Sequence, residues 1–274
     1  MTRRLTLGFS PCPNDTFLFH ALVHGLVDAG ECAFDVVLDD VEALNARAAD
    51  PARRLAITKL SLPAFAALED VYELSPSGSA LGHGVGPLVV ARRERSSELA
   101  DLRDLAGRTI AVPGVRTTAF ALLRRYGPRD VTPVPMRFDA IMPAIVAGEV
   151  DAGVVIHESR FTYAAHGLHC VADLGERWES DTRLPLPLGV IAFDRSLTAA
   201  TRVRLGAAIG ASARFARANP AASRAYVAAH ANEMAPDVCA AHIALYVNDQ
   251  TVALDDDGRR AVATMVDYCR RSAR

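Results

Sequence analysis

The chain has 274 residues, half of them hydrophobic, enough to bury one large core or two ordinary ones. Thirty basic against 32 acidic residues leave a formal charge of -2 spread along the length, which makes no electrostatic case for nucleic acid or an anionic membrane. Five scattered cysteines with no CxxC pair point to a reduced, cytoplasmic setting, with neither a disulfide framework nor a cysteine zinc site.

Met1-Thr-Arg-Arg leads into a strand-like LTLGF that Pro11 and Pro13 soon break, unlike a signal core. No window approaches the roughly 18–20 apolar residues of a membrane span. From there, short β-type runs alternate with helical stretches. The pattern predicts strands at 5–9, 34–38, 55–58, 88–91, 109–112, 134–137, 153–156 and 189–193. It predicts helices at 15–24, 41–49, 62–68, 118–126, 140–147 and 159–166. Such alternation gives α/β layers with largely parallel sheets. From Thr198 the chain turns Ala-rich and is punctuated by Asn219-Pro220, Ala235-Pro236 and DDDG at 255–258, predicting a tail of three or four helices.

GPLVVARRE near residue 90 and PLPLGVIAF near residue 190 are both extended, apolar and bounded by Pro or Gly. If both are crossovers, residues 91–189 form a lobe inserted into one built from 1–90 and 190–274, with a ligand cleft between them. The alternative is one continuous doubly wound domain.

Ligands of α/β folds sit beyond the carboxyl ends of strands, and four loops there carry unusual chemistry. In SPCPNDTF the two prolines hold the loop extended, and Asn14 or Asp15 can cap the next helix, directing free N–H groups at an anionic or carbonyl ligand. In ITKLSLPAF, Ser61 can cap a helix or bind ligand, while Lys59 supplies charge or is merely solvated. In AVPGVRTTAFALL, Pro113-Gly114 makes a turn, and the hydroxyls of Thr117 and Thr118 converge with free N–H groups on a place suited to a carboxylate. In GEVDAGVVIHESRFTY, His157 stands at a strand end beside Glu158, and its near-neutral pKa suits proton abstraction, although a hydrogen-bonded structural histidine fits the position too.

Other chemistries lack their patterns. GxGxxG after a strand, GxxxxGK[ST] and GxSxG are absent, and His166 and His169 have no third ligand at metal spacing. Neither a cofactor nor a metal is expected.

Five segments, SPCPNDTF, GSALGHGVGPLVV, VPGVRTTA, AIVAGEVDAGVVIHESRFTY and LGERWESDTRLPLPLG, resemble in this order the 1,4-dihydroxy-6-naphthoate synthases of the futalosine route to menaquinone. The resemblance runs from about Leu5 to Phe193 and implies an α/β, two-lobed, periplasmic-binding-protein-like (type II) fold, each lobe a mixed, mostly parallel sheet flanked by helices, with the helical tail added. It further implies a cytoplasmic, cofactor-free carbon–carbon lyase acting on a small-molecule carboxylate, cyclic dehypoxanthine futalosine. His157 matches the family's proposed base, Thr117 and Thr118 its carboxylate site, and Ser61 its substrate-facing hydroxyl; Asn14 and Lys59 complete the candidate set. Arg177 and Leu62 stand where the family often carries aromatics. Chorismate dehydratase of the same pathway and a non-catalytic binding protein are the rival readings.

Overall fold

The computed structural model describes residues 3–231 and 235–272. By its internal contacts the chain divides into two units, Met1–Gly82 with Pro187–Arg274, and His83–Leu186.

The first unit begins with β1 (Arg3–Phe9), α1 (Pro13–Val23), β2 (Cys32–Leu38), α2 (Val41–Ala49), β3 (Ile57–Ser61), α3 (Leu62–Ala67) and the short β4 (Tyr72–Leu74) and β5 (Ala80–Gly82). The second contains β6 (Leu88–Arg92), β7 (Thr109–Val112), α4 (Thr118–Tyr126), β8 (Thr132–Pro135), α5 (Ile141–Ala147), β9 (Ala152–Val155), α6 (Ser159–Thr162), β10 (Leu168–Asp173) and α7 (Leu174–Thr182). The chain returns through β11 (Leu186–Asp194) and ends in α8 (Ala199–Ala218), α9 (Arg224–His230), α10 (Pro236–Tyr246), α11 (Asp249–Val252) and α12 (Asp256–Ser272). The tail therefore holds five helices among the described residues, one of them a single turn, where the punctuation indicated three or four.

The first sheet runs β2-β1-β3-β11-β4, with β5 also on β11; the second runs β10-β6-β9-β7-β8. Both are mixed. Neighbours β1, β2 and β3 are parallel, as are β7, β8 and β9, whereas β11 runs antiparallel to β3 and β4, and β6 to β9 and β10. The antiparallel pairings thus all involve the two strands that lie next to the passages between the units.

Side-chain alternation builds each core. Leu5, Leu7 and Phe9 of β1 pack with Ile57, Ile191 and Phe193 under Leu18, Phe19 and Leu22 of α1 and Leu205, Ile209 and Ala213 of α8. In the second unit Leu88, Val90, Ala111 and Val155 meet Ile141, Ala144 and Ile145 of α5. Gly86 and Gly175 are forced by contact: a Cβ on either would lie 2.3 or 2.6 Å from the other's backbone.

Strand 134–137 lies at Thr132–Pro135 and helix 159–166 is α-helical over Ser159–Thr162, and two further changes touch candidate site residues. Strand 55–58 is in fact Ile57–Ser61, and all five residues are buried, Lys59 and Ser61 included. Helix 15–24 starts earlier, because Pro13 occupies its first position and Cys12 its N-cap, which places Asn14 and Asp15 inside the first turn instead of capping it.

Candidate functional site

In the first unit the end of β1 lies beside the start of β3, with Leu7 opposite Ile57 and Gly8 opposite Thr58. The loop after β1 carries Ser10, and α1 begins at once, so Asp15 reaches back over the strand ends. Its carboxylate accepts from the Ser10 backbone N–H (3.0 Å) and from Ser10 Oγ (2.6 Å). Asn14 Nδ2 donates to it at 2.9 Å, and Lys59 Nζ lies 2.6 Å from both oxygens. Lys59 is 5% and Asp15 1% exposed. The ammonium is therefore buried and its charge balanced, not solvated. Two charges taken this far from water persist only where each is paired and hydrogen-bonded, and this pair meets that condition.

Ser61 is the N-cap residue of α3, yet its hydroxyl makes no capping bond. Asn45 of α2 grips it instead: Nδ2 donates to Ser61 Oγ at 3.0 Å, and Oδ1 accepts the Ser61 N–H at 3.0 Å. One buried amide therefore holds the serine at two points, its NH2 on the hydroxyl oxygen and its carbonyl oxygen on the backbone N–H.

In the second unit β7 ends at Val112, and Gly114 turns the chain at φ 130°, in the range that favours glycine. Thr117 caps α4: its hydroxyl donates to Gly114 O at 2.7 Å and accepts the Phe120 N–H at 3.2 Å. The Thr117 hydroxyl is thus spent on the turn and the cap, and Thr118 is the first residue of the helix. Both threonines are buried.

After β9 the backbone turns sharply at His157, whose φ of 55° is left-handed. Among non-glycine residues with that geometry in the described chain, Arg183 is the other, at a helix end. Left-handed backbone at a histidine is uncommon and costs energy that the surroundings must supply. The imidazole lies edge-on to Phe138, with ring centroids 5.1 Å apart. Beside it, burial pushes the Glu158 carboxyl above the usual range; its own backbone N–H opposes the rise and Asp139 adds to it. Glu158 Oε2 is buried and lacks a hydrogen-bond partner among the described residues. Arg160 then ties this turn down, donating to Gly86 O (2.6 Å) and pairing with Asp173 (2.9 Å).

Glu179 and Trp178 serve the scaffold. Glu179 accepts from His83 Nδ1 and the Gly84 N–H, each at 2.8 Å, and so clamps the GHGVG loop. Trp178 is fully buried and donates to Pro185 O.

The structure therefore brings Asn14, Lys59 and Ser61 to the ends of β1 and β3 in one unit, and Thr117, Thr118 and His157 to strand ends in the other. Sequence reasoning missed Ser10, Asn45, Phe138 and His242, whose Nε2 lies 2.9 Å from Asn14 Oδ1. One signal was available: of thirty Lys and Arg residues, only Lys59 is lysine. Where arginine serves every other basic position, a lone lysine marks a place that needs a compact ammonium. Among the described residues no group of three or more His, Cys, Asp and Glu is placed to hold a metal ion, and no helix is long and apolar enough to cross a membrane.

A family model described as menaquinone biosynthesis matches residues 5–271. Over 261 residues the chain is 47% identical to a 1,4-dihydroxy-6-naphthoate synthase of Thermus thermophilus, covering 95% of this chain and 92% of that protein. A crystal structure of an Archaeoglobus fulgidus protein, 34% identical, matches with a TM-score of 0.89 over 98% of both chains. A Candida albicans gene product described as having the generic periplasmic binding protein fold matches at 12% identity with a TM-score of 0.72, over 99% of this chain and 92% of that one. The last likeness concerns fold alone, and the fold is periplasmic-binding-protein-like.

Proposed function

The chain belongs to the menaquinone-biosynthesis family, and we propose that within it the protein is a 1,4-dihydroxy-6-naphthoate synthase, a cytoplasmic carbon–carbon lyase. Its substrate is a small molecule, cyclic dehypoxanthine futalosine, cleaved to 1,4-dihydroxy-6-naphthoate and a carbohydrate-derived fragment. The observation that carries this reading is the 47% identity to a synthase of that name along nearly the whole of both chains.

The residues support a division of labour. His157 removes the proton that begins the fragmentation, on a backbone conformation that fixes the ring's approach. The N–H groups at the start of α4, with Thr118, hold the substrate carboxylate, while the Thr117 hydroxyl keeps that turn in shape. Ser61, oriented by Asn45, donates its hydroxyl proton, and Lys59 and Asn14 supply the polar floor behind it. Residues 91–189 form one lobe, and residues 1–90 with 190–274 form the other.

The test is to incubate the pure protein separately with the cyclic futalosine derivative and with chorismate, and to scan for new aromatic products. Formation of the naphthoate from the first alone is expected; consumption of chorismate would transfer the chain to the dehydratase. Replacing His157 with Ala should lower kcat by ~10²- to 10⁴-fold and leave substrate binding largely intact. A variant that turned over normally would remove His157 from the mechanism.

A further inference from the structure

A chain of buried hydrogen bonds runs from the helical tail to Lys59. Asp15, paired with the ammonium, can only accept, so Asn14 must present its NH2 to Asp15 (2.9 Å) and its oxygen to His242 (2.9 Å). His242 Nε2 therefore carries a proton and donates it to Asn14. His242 is 0% exposed, lies on α10, and packs against the Tyr246 ring with centroids 4.6 Å apart. It stands 228 residues from Asn14 in sequence, so nothing local requires the contact.

The far end of the chain is unusual. An ammonium has three N–H donors, and Asp15 has two oxygens, both already taking Lys59 at 2.6 Å. Among the described residues nothing else accepts from Lys59, a residue 5% exposed, which leaves one N–H of its ammonium uncommitted. A buried donor without a partner is costly, and a site that binds an oxygen there recovers the cost. Because Asp15 already balances the charge, the fitting acceptor is a neutral carbonyl or hydroxyl oxygen, whereas a second carboxylate would crowd Asp15.

We propose that His242 is a positioning residue that, through Asn14 and Asp15, aims the remaining N–H of Lys59 at a neutral oxygen of the substrate. The proposal rests on the reading of Asn14 and Lys59 as substrate-facing. It gives the tail helix α10 a part in the site.

The single lysine makes the relay measurable without an activity assay. Apart from the chain's own terminus, reductive methylation with formaldehyde and cyanoborohydride can label only Lys59, and mass spectrometry of its peptide gives the rate. In the intact protein labelling should be slow. His242→Leu, and Asn14→Ala, which cuts the chain without touching α10, should each raise the rate at least ~10-fold with an unchanged far-UV spectrum. His242→Gln, whose amide can replace the Nε2 donor, should stay within ~2-fold of the parent. Equal labelling in parent, His242→Leu and Asn14→Ala would overturn the relay, as would a Gln variant that labels as fast as the Leu variant. In turnover of the cyclic substrate, the Leu variant should lose ~10-fold in kcat/KM and the Gln variant should regain most of it. Faster labelling with unchanged kcat/KM would overturn the role in the site. If the parent protein itself fails to turn over that substrate, the proposed function falls, while the labelling rates still decide the relay.

Discussion

Lys59→Met removes a buried cation while keeping most of its volume. Asp15 stays behind at 1% exposure, with the Ser10 N–H, the Ser10 hydroxyl and the Asn14 amide as its donors among the described residues. Breaking a buried pair from one side costs about 3–5 kcal/mol. The variant has one escape, which is to take up a proton. For an ordinary carboxylic acid at pH 7 that costs about 4 kcal/mol, roughly three pH units at ~1.4 kcal/mol each. The expected loss is thus about 3–4 kcal/mol at pH 7. It should shrink by up to ~1.4 kcal/mol per pH unit on the way to pH 5, because the folded variant then holds a proton that the unfolded chain has released. Adding Asp15→Asn removes the stranded charge and should restore most of the stability. Urea unfolding followed by far-UV circular dichroism at pH 5, 6 and 7 measures all of this. The only tryptophan, Trp178, sits in the other unit, so its fluorescence is an internal control. A loss below ~1 kcal/mol, or one that ignores pH, would show that water reaches the pair and that the burial argument fails.

Three further outcomes are expected. Gly175→Ala pushes a methyl group into the backbone of Gly86 and should destabilise the second unit by about 1–3 kcal/mol, read from the Trp178 fluorescence transition; an unchanged midpoint would mean the two loops part freely. Asn45→Ala strips Ser61 of both its partners and should raise KM more than it lowers kcat, with a stability loss of about 1–3 kcal/mol; Asn45→Asp, which keeps the acceptor for the Ser61 N–H, should fall between. Burial holds the His20 imidazole below its ordinary value, and the neighbouring His24 charge acts the same way. The unfolded chain then binds more protons than the folded one between that lowered value and about 6.5, so stability is full above the window and declines as pH falls through it. His20→Phe should flatten the decline in Tm between pH 7 and 5.

Much of the architecture was readable from pattern, because strands such as Thr109–Val112 are short unbroken apolar runs and helices such as Val41–Ala49 space their buried residues at helical intervals. Three strands escaped for physical reasons. β4 and β5 have three residues each, too few to show a period, and β10 carries a register shift between Cys170 and Ala172 that breaks its alternation. α7 was hidden by its polar surface and by Gly175, which reads as a breaker until its approach to Gly86 is known. The boundary of β3 was misread where it matters most. Lys59 and Ser61 look like residues beyond a strand, the lysine charge-bearing or solvated and the serine a cap or a ligand contact, and the partners supplied by α1 and α2 show them to be interior. Likewise Thr117 was legible as a helix start, whereas the left-handed turn at His157 leaves no mark in composition.

The interrupted first unit has a consequence for how the molecule is born. Its β3 is flanked by β11, and α1 is covered by α8, where Ser212 bonds both Leu18 O and the Leu22 N–H. On the ribosome neither partner exists until synthesis has passed residue 187, while the continuous stretch from His83 to Leu186 is already complete. The middle of the polypeptide can therefore settle before its beginning does, and a nascent chain cut short before α8 would present α1 with an apolar flank and nothing to cover it.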